Sequence, residues 1–132
     1  MNNRRSLLRG LISAAAITQV MGQEHAGVQI KSRQKLSGAL DGMEATVVEV
    51  SYPPGASSPQ HRHPGFIAGY VLEGRIRFGV EGQPEQILST GETFFEAAGA
   101  LHSVSANAQP DKPARILAFS VAPAGSPVAL PK

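Results

Sequence analysis

The 132-residue chain contains no cysteine, so no disulfide holds it and no thiol is available as a general base. That fits an exported domain, although disulfide-free proteins occur in every compartment. Charge is scarce as well, at 17% of residues. Three of the twelve Lys and Arg are Arg4, Arg5 and Arg9, and without them nine basic residues face ten acidic ones. A near-neutral domain with no basic patch gives no footing to nucleic acid. Long apolar runs are also missing. The stretch from Gly10 to Gly22 is interrupted by Ser13, Thr18 and Gln19, and it falls short of the ~20 residues that a spanning helix needs. Contact with a membrane is therefore expected only during export.

Glycine and proline are plentiful, with 14 and 10 copies, the composition of a turn-rich all-β chain. The length suits one domain, since domains commonly hold ~100–150 residues. The N-terminus reads as a leader: "NRRSLLRG" is charged, "LISAAAITQVMG" is apolar, and a cut after Gly22 follows small residues. Arg4-Arg5-Ser6-Leu7-Leu8 resembles a twin-arginine export signal, which implies a periplasmic or secreted protein. The expected organisation is a leader over 1–22, an N-terminal segment over 23–43 with one edge strand in "GVQIKS", a β domain over 44–122, and a loose tail over 123–132.

Within the β domain short apolar segments alternate with turns. In "RIRFGV" Ile76, Phe78 and Val80 share one face, while Arg75, Arg77 and Gly79 share the other. Strands at such close spacing point to a sandwich or small barrel, and no internal repeat is present.

The chemistry concentrates in "PQHRHPG", residues 59–65. On an extended strand His61 and His63 point the same way, ~6.6–6.8 Å apart along the chain, and can converge on one ion. A third histidine, His102, opens the strand after "AAGA", and a site forms if that strand neighbours the first pair. His25 belongs to no pattern. Phe66, Ile67 and Tyr70 are candidates for a pocket mouth. Glu96 shares a strand face with Phe94. It either joins the histidines or lies at the rim facing solvent, and the usual exposure of charged residues favours the rim.

Here the chain resembles the cupin superfamily. The first cupin motif, Gly, five residues, His, one residue, His, and a closing Gly, is matched by Gly55, His61, His63 and Gly74. The second is matched by Gly91, Gly99 and His102. The two motifs depart from the pattern at three points: Ile67 stands where the motif has its metal-binding glutamate, Ala97 replaces a proline, and the asparagine comes one place late as Asn107. The resemblance implies a double-stranded β-helix, a jelly-roll barrel. It also implies a site in which His61, His63 and His102 hold a divalent transition metal ion, with Fe, Mn, Ni, Cu and Zn all suited to imidazole. It points to a dioxygenase-like oxidoreductase acting on a small organic molecule, with Glu96 as the candidate base. The alternative is a non-catalytic module that binds a small molecule or metal. Because such barrels commonly pair through their outer sheets, a homodimer is expected.

Overall fold

The computed structural model describes residues 25–132, so the leader expected over 1–22 lies outside the described residues. Ten strands follow in chain order: β1 (Gly27–Lys35), β2 (Met43–Tyr52), β3 (His61–Arg62), β4 (Phe66–Glu73), β5 (Arg75–Val80), β6 (Gln86–Ser89), β7 (Thr93–Glu96), β8 (Leu101–Asn107), β9 (Ala114–Pro123) and β10 (Leu130–Pro131). A short 3-10 turn at Gly38–Leu40 is the only helical element among the described residues. The strands form two antiparallel five-stranded sheets in the orders β1-β2-β9-β4-β7 and β10-β3-β8-β5-β6. Chain neighbours repeatedly fall in opposite sheets, as a double-stranded β-helix requires, and the all-β expectation holds.

Alternation decides what faces inward. On β4 the buried positions are Ile67, Gly69 and Val71, while Ala68 and Tyr70 are exposed. On β5 Ile76, Phe78 and Val80 are buried, as the sequence pattern predicts, and Gly79 of the opposite face is covered as well. These side chains meet Tyr52, Leu88, Phe94, Ala114 and Ile116 in one core between the sheets. The aromatic face expected at a pocket mouth divides accordingly. Ile67 turns inward, whereas Phe66 packs outside with Phe95 and Phe119, at ring separations of 5.9 and 6.2 Å.

Two close approaches set the spacing of the first sheet. A Cβ on Gly69 would lie 2.0 Å from the Phe94 ring, the residue directly opposite it on β7. The ring therefore fills the place of a side chain on β4. A Cβ on Gly65 would lie 1.9 Å from the Val121 carbonyl oxygen, so the turn into β4 rests on the β9 backbone.

Asn107 closes one end of the barrel. Its buried amide nitrogen lies 3.2 Å from the carbonyls of Tyr52 and Pro53 and 2.7 Å from that of Lys112. Its oxygen accepts from the Gln109 N–H at 2.8 Å. Removing the amide leaves buried carbonyls unpaired, at ~1–3 kcal/mol each. Asn107→Ala is accordingly expected to lower stability by about 2–4 kcal/mol, read as a fall in the urea midpoint at unchanged slope.

The C-terminal segment, expected as a loose tail, is instead tied down. β10 pairs with β3 through Leu130 opposite Arg62 and Pro131 opposite His61. Prolines at a sheet edge cost no ladder hydrogen bond, so the composition that suggests disorder is compatible with an edge strand.

Candidate metal centre

β3 and β8 are neighbours, and His61 stands directly opposite His102. His63, two residues on from His61, lies just past the end of β3. Each of the three offers a ring nitrogen, and these atoms all lie within 4.8 Å of one another. The two motif loops are locked together around them. The Gly99 N–H donates to the His63 carbonyl at 2.9 Å, and the Arg62 guanidinium, directed away from the imidazoles, donates to the Gly99 carbonyl at 2.8 Å. His25, exposed and bridged to Ser57, lines the same cavity but is not one of the converging ligands.

The hydrogen bonds fix which nitrogens face inward. His61 Nδ1 lies 2.7 Å from the Pro59 carbonyl, and His63 Nδ1 lies 2.7 Å from the Val128 carbonyl. A carbonyl only accepts, so both Nδ1 atoms carry hydrogen and both Nε2 atoms carry lone pairs. Those two Nε2 atoms are 3.1 Å apart. Two lone pairs at that distance repel unless a cation lies between them. Nitrogens bound to one ion at ~2.0–2.1 Å are themselves separated by ~3–3.4 Å, which the pair already satisfies. Backbone carbonyls orienting metal-bound imidazoles are the usual second partners of such a site.

Burial keeps His63 and His102 neutral. His102 is 4% exposed, with both ring nitrogens lacking a hydrogen-bond partner. Desolvation, helped by His61 and His63, pushes it down to about 3. His63 is lowered too, chiefly by burial. Neutral imidazoles are the form that binds metal, so these residues fit a divalent transition ion.

For Glu96 the general exposure of charge predicts the rim. The structure overturns this: it is 2% exposed, with Oε1 3.3 Å from His102 Nδ1 and Oε2 3.9 Å from His63 Nε2. The strand register is the reason, since Glu96 shares the inward face of β7 with Phe94. Burial pushes its carboxyl up to about 7, and Oε1 has no hydrogen-bond partner.

These opposed shifts give the metal-free chain a distinctive pH response. His102 binds its proton near pH 6.5 when unfolded but only near 3 when folded, so its contribution is lost as pH falls through that window. Glu96 acts in the opposite sense between its ordinary 4.5 and about 7, losing stability as pH rises. From pH 4.5 to 6.5 the Glu96 slope opposes those of His102 and His63 and offsets them in part; below 4.5 only the histidine loss remains. Urea midpoints of the metal-free protein are expected to fall gently from pH 6.5 to 4.5 and more steeply towards pH 3. A level profile down to pH 3 would show that the imidazoles are not buried neutral.

The imidazoles and Glu96 lie in a cavity of about 650 Å³ between the sheets. Val48, Val50, Ile67, Ile116 and Ala118 form its apolar wall, and residues 126–131 cover one side. A buried hydroxyl pair, Tyr52 with Ser105 at 2.5 Å, lines it as well. Sequence reasoning did not find this pair, although the alternation that buries Val48 also points Tyr52 inward. It could not have found the Val128 carbonyl, a backbone group without a residue signature. Deleting residues 127–132 removes the acceptor that orients His63. Metal affinity is expected to fall ~10–100-fold, measured by chelator competition on a chain whose barrel remains folded.

No curated protein matches the chain, but solved structures do. A double-stranded β-helix protein from Klebsiella pneumoniae is 20% identical, with a TM-score of 0.64, over 84% of this chain and 88% of that one. A DMSP lyase from Ruegeria pomeroyi is 24% identical, TM-score 0.58, over 67% of this chain and 43% of the lyase. An oxalate oxidase is 22% identical, TM-score 0.58, over 66% of this chain and 45% of the oxidase. The chain thus spans less than half the length of either enzyme, and at such identities the likeness is one of fold. The family model for the cupin domain matches residues 48–120, from the middle of β2 through β9 and across both histidine loops. That match covers more than half of the sequence, and the chain belongs to the cupin superfamily.

Proposed function

We propose that this chain is an exported cupin in which His61, His63 and His102 hold one divalent transition metal ion, and that it acts as a dioxygenase-like oxidoreductase on a small organic molecule. The observation that carries the reading is the convergence of three imidazoles, two of them fixed by carbonyls with their Nε2 atoms 3.1 Å apart, inside an apolar cavity. Imidazole alone does not choose among Fe, Mn, Ni, Cu and Zn. When bound, the ion would supply Lewis acidity at the positions the protein leaves open.

The chain's own residues do the rest. Apolar walls exclude water and favour a substrate that is mostly hydrocarbon, with an oxygen donor at one end, such as a flavonol or an enolised diketone. Among the described residues Glu96 is the one carboxylate beside the imidazoles. The other acid lining the cavity, Glu44, is paired with Arg33 at 3.0 Å. Proton removal from a substrate hydroxyl therefore falls to Glu96 in this reading. An oxalate oxidase and DMSP lyases share the barrel, which supports small-molecule chemistry on this fold without fixing the reaction. Export rests on the leader-like residues 1–22, and a homodimer on the exposed Val28 and Ile30 of the edge strand and the outer aromatic face. Light scattering that returns the monomer mass would remove the dimer.

The test is elemental analysis of protein purified without chelator or a nickel column, followed by oxygen uptake with flavonols and β-diketones. Near-stoichiometric metal with metal-dependent uptake supports the oxidoreductase. Metal and ligand binding without uptake would instead support the non-catalytic module, and protein that neither carries nor takes up metal would end both metal-based readings.

A further inference from the structure

Resting on the metal reading above, one residue can be carried further. Glu96 of β7 stands directly opposite Ile67 of β4 in the antiparallel ladder. Directly opposed residues on one face have Cβ atoms ~4.5–5.5 Å apart, so a side chain from either position reaches the same region of the cavity. Both are buried, Ile67 at 4% and Glu96 at 2% exposure, and both line the cavity that holds the histidines. Ile67, apolar, ligates nothing. Glu96 places its two oxygens 3.3 Å from His102 Nδ1 and 3.9 Å from His63 Nε2. Oε1 and both His102 nitrogens lack any hydrogen-bond partner among the described residues.

A buried carboxylate oxygen without a donor is costly, and imidazole nitrogens of His102 and His63 lie 3.3 and 3.9 Å from this carboxylate. Two of the three rings present lone pairs, and the third has both nitrogens unpartnered. Each neutral ring keeps one lone pair beside its single N–H, so one cation can satisfy a lone pair from every ring together with a carboxylate oxygen. We infer that Glu96 is a fourth ligand of the ion, supplied from β7 across the ladder from Ile67. A carboxylate held by one oxygen keeps the other free, so ligation is compatible with the proton-accepting role given to Glu96 above. Three imidazoles and one carboxylate make the site one negative charge richer than histidine alone. That charge lowers the Lewis acidity of the ion and strengthens its hold on a hard divalent cation.

The inference is tested by titrating metal-free protein with Zn(II) against a chelator and with Co(II) by its visible absorption. The variants are Glu96→Gln, Glu96→Gln combined with Ile67→Glu, and His102→Ala. Glu96→Gln removes a buried charge while keeping the shape, so its metal-free form is expected to unfold no earlier than wild type. Its Zn(II) affinity is expected to fall at least ~100-fold, beyond what loss of an outer partner costs, and its Co(II) bands to change. Adding Ile67→Glu returns a carboxylate from the opposite strand and is expected to recover most of the loss. A merely structural role would not give that rescue. Should Glu96→Gln fail to fold, Glu96→Asp, too short to reach, takes its place with the same expectation. If Glu96→Gln binds both ions like wild type while His102→Ala does not bind, the three-imidazole site stands and this inference is overturned. If wild type binds neither ion, or His102→Ala binds unchanged, the metal reading fails and the inference with it.

Discussion

Alanine at His61, His63 or His102 is expected to take bound metal from about one equivalent per chain to roughly a tenth or less. The three positions are predicted to differ in what else they do. His102 is buried with both nitrogens unpartnered, so in the metal-free chain it contributes a desolvation cost and no hydrogen bond. Replacing it with leucine removes that cost beside the Phe78 ring, which lies 5.1 Å away. The metal-free form is then expected to unfold at the same temperature as wild type or higher, while the rise in unfolding temperature on adding metal disappears. His63 behaves differently, because its Nδ1–H holds the Val128 carbonyl at 2.7 Å. His63→Ala should lose metal and also free the C-terminal strand, seen as faster amide exchange at Leu130. Elemental analysis together with thermal unfolding, with and without chelator, separates these outcomes. A His102→Leu chain that keeps its metal would count decisively against the site.

Gly65→Ala is expected to leave little folded protein. The new Cβ would sit 1.9 Å from the Val121 carbonyl oxygen, 2.7 Å from its carbon and 2.9 Å from the Ala122 Cβ. Two of those three atoms are backbone in the central ladder between β4 and β9, so no side chain can rotate away. Relief requires moving one strand, which disturbs the His63–Gly99 lock and the turn beside it. The loss is expected to exceed about 4 kcal/mol, the range of the most damaging single changes, against a total of ~5–15 kcal/mol for a typical domain. Soluble yield and the urea midpoint measure it. Gly55, the first glycine of the same motif, is the contrast. It has positive φ, at 69°, but nothing lies within 4 Å of the place a Cβ would take. Gly55→Ala meets only backbone strain, ~1–2 kcal/mol. Equal losses at the two sites would refute this account of Gly65.

Much of the fold is legible in the sequence because strands declare themselves by alternation. Period alone puts Ile76, Phe78 and Val80 on one buried face, and they line the core. The histidines are legible because two lie at i and i+2, and a third follows a turn that returns it to their side. The location of Glu96 is not. Alternation places it with Phe94 but does not say which face of β7 looks inward, and the exposure rule for charges points the wrong way. What decides it is register with Ile67, a pairing between strands that sequence period does not contain. The C-terminal segment misleads for a related reason. Its prolines exclude a central strand, yet an edge strand of two residues beside β3 needs no pattern of its own, and its contribution to His63 is a backbone carbonyl.

The first sheet bears on how the molecule forms. Its longest ladders join β2 to β9, with Met43 opposite Pro123 and Tyr52 opposite Ala114, and β9 in turn carries β4. The middle of that sheet cannot assemble until a strand more than sixty residues downstream has arrived. A nascent chain that has emerged only as far as β8 holds all three imidazoles while lacking the strand that joins β2 to β4. Folding of so non-local an architecture falls towards the slow end, in the millisecond-to-second range, and loop closure must precede most of the gain from burial. The four polar side chains at the centre would therefore come together late and all at once, so that ion capture reports completion of the barrel rather than starting it.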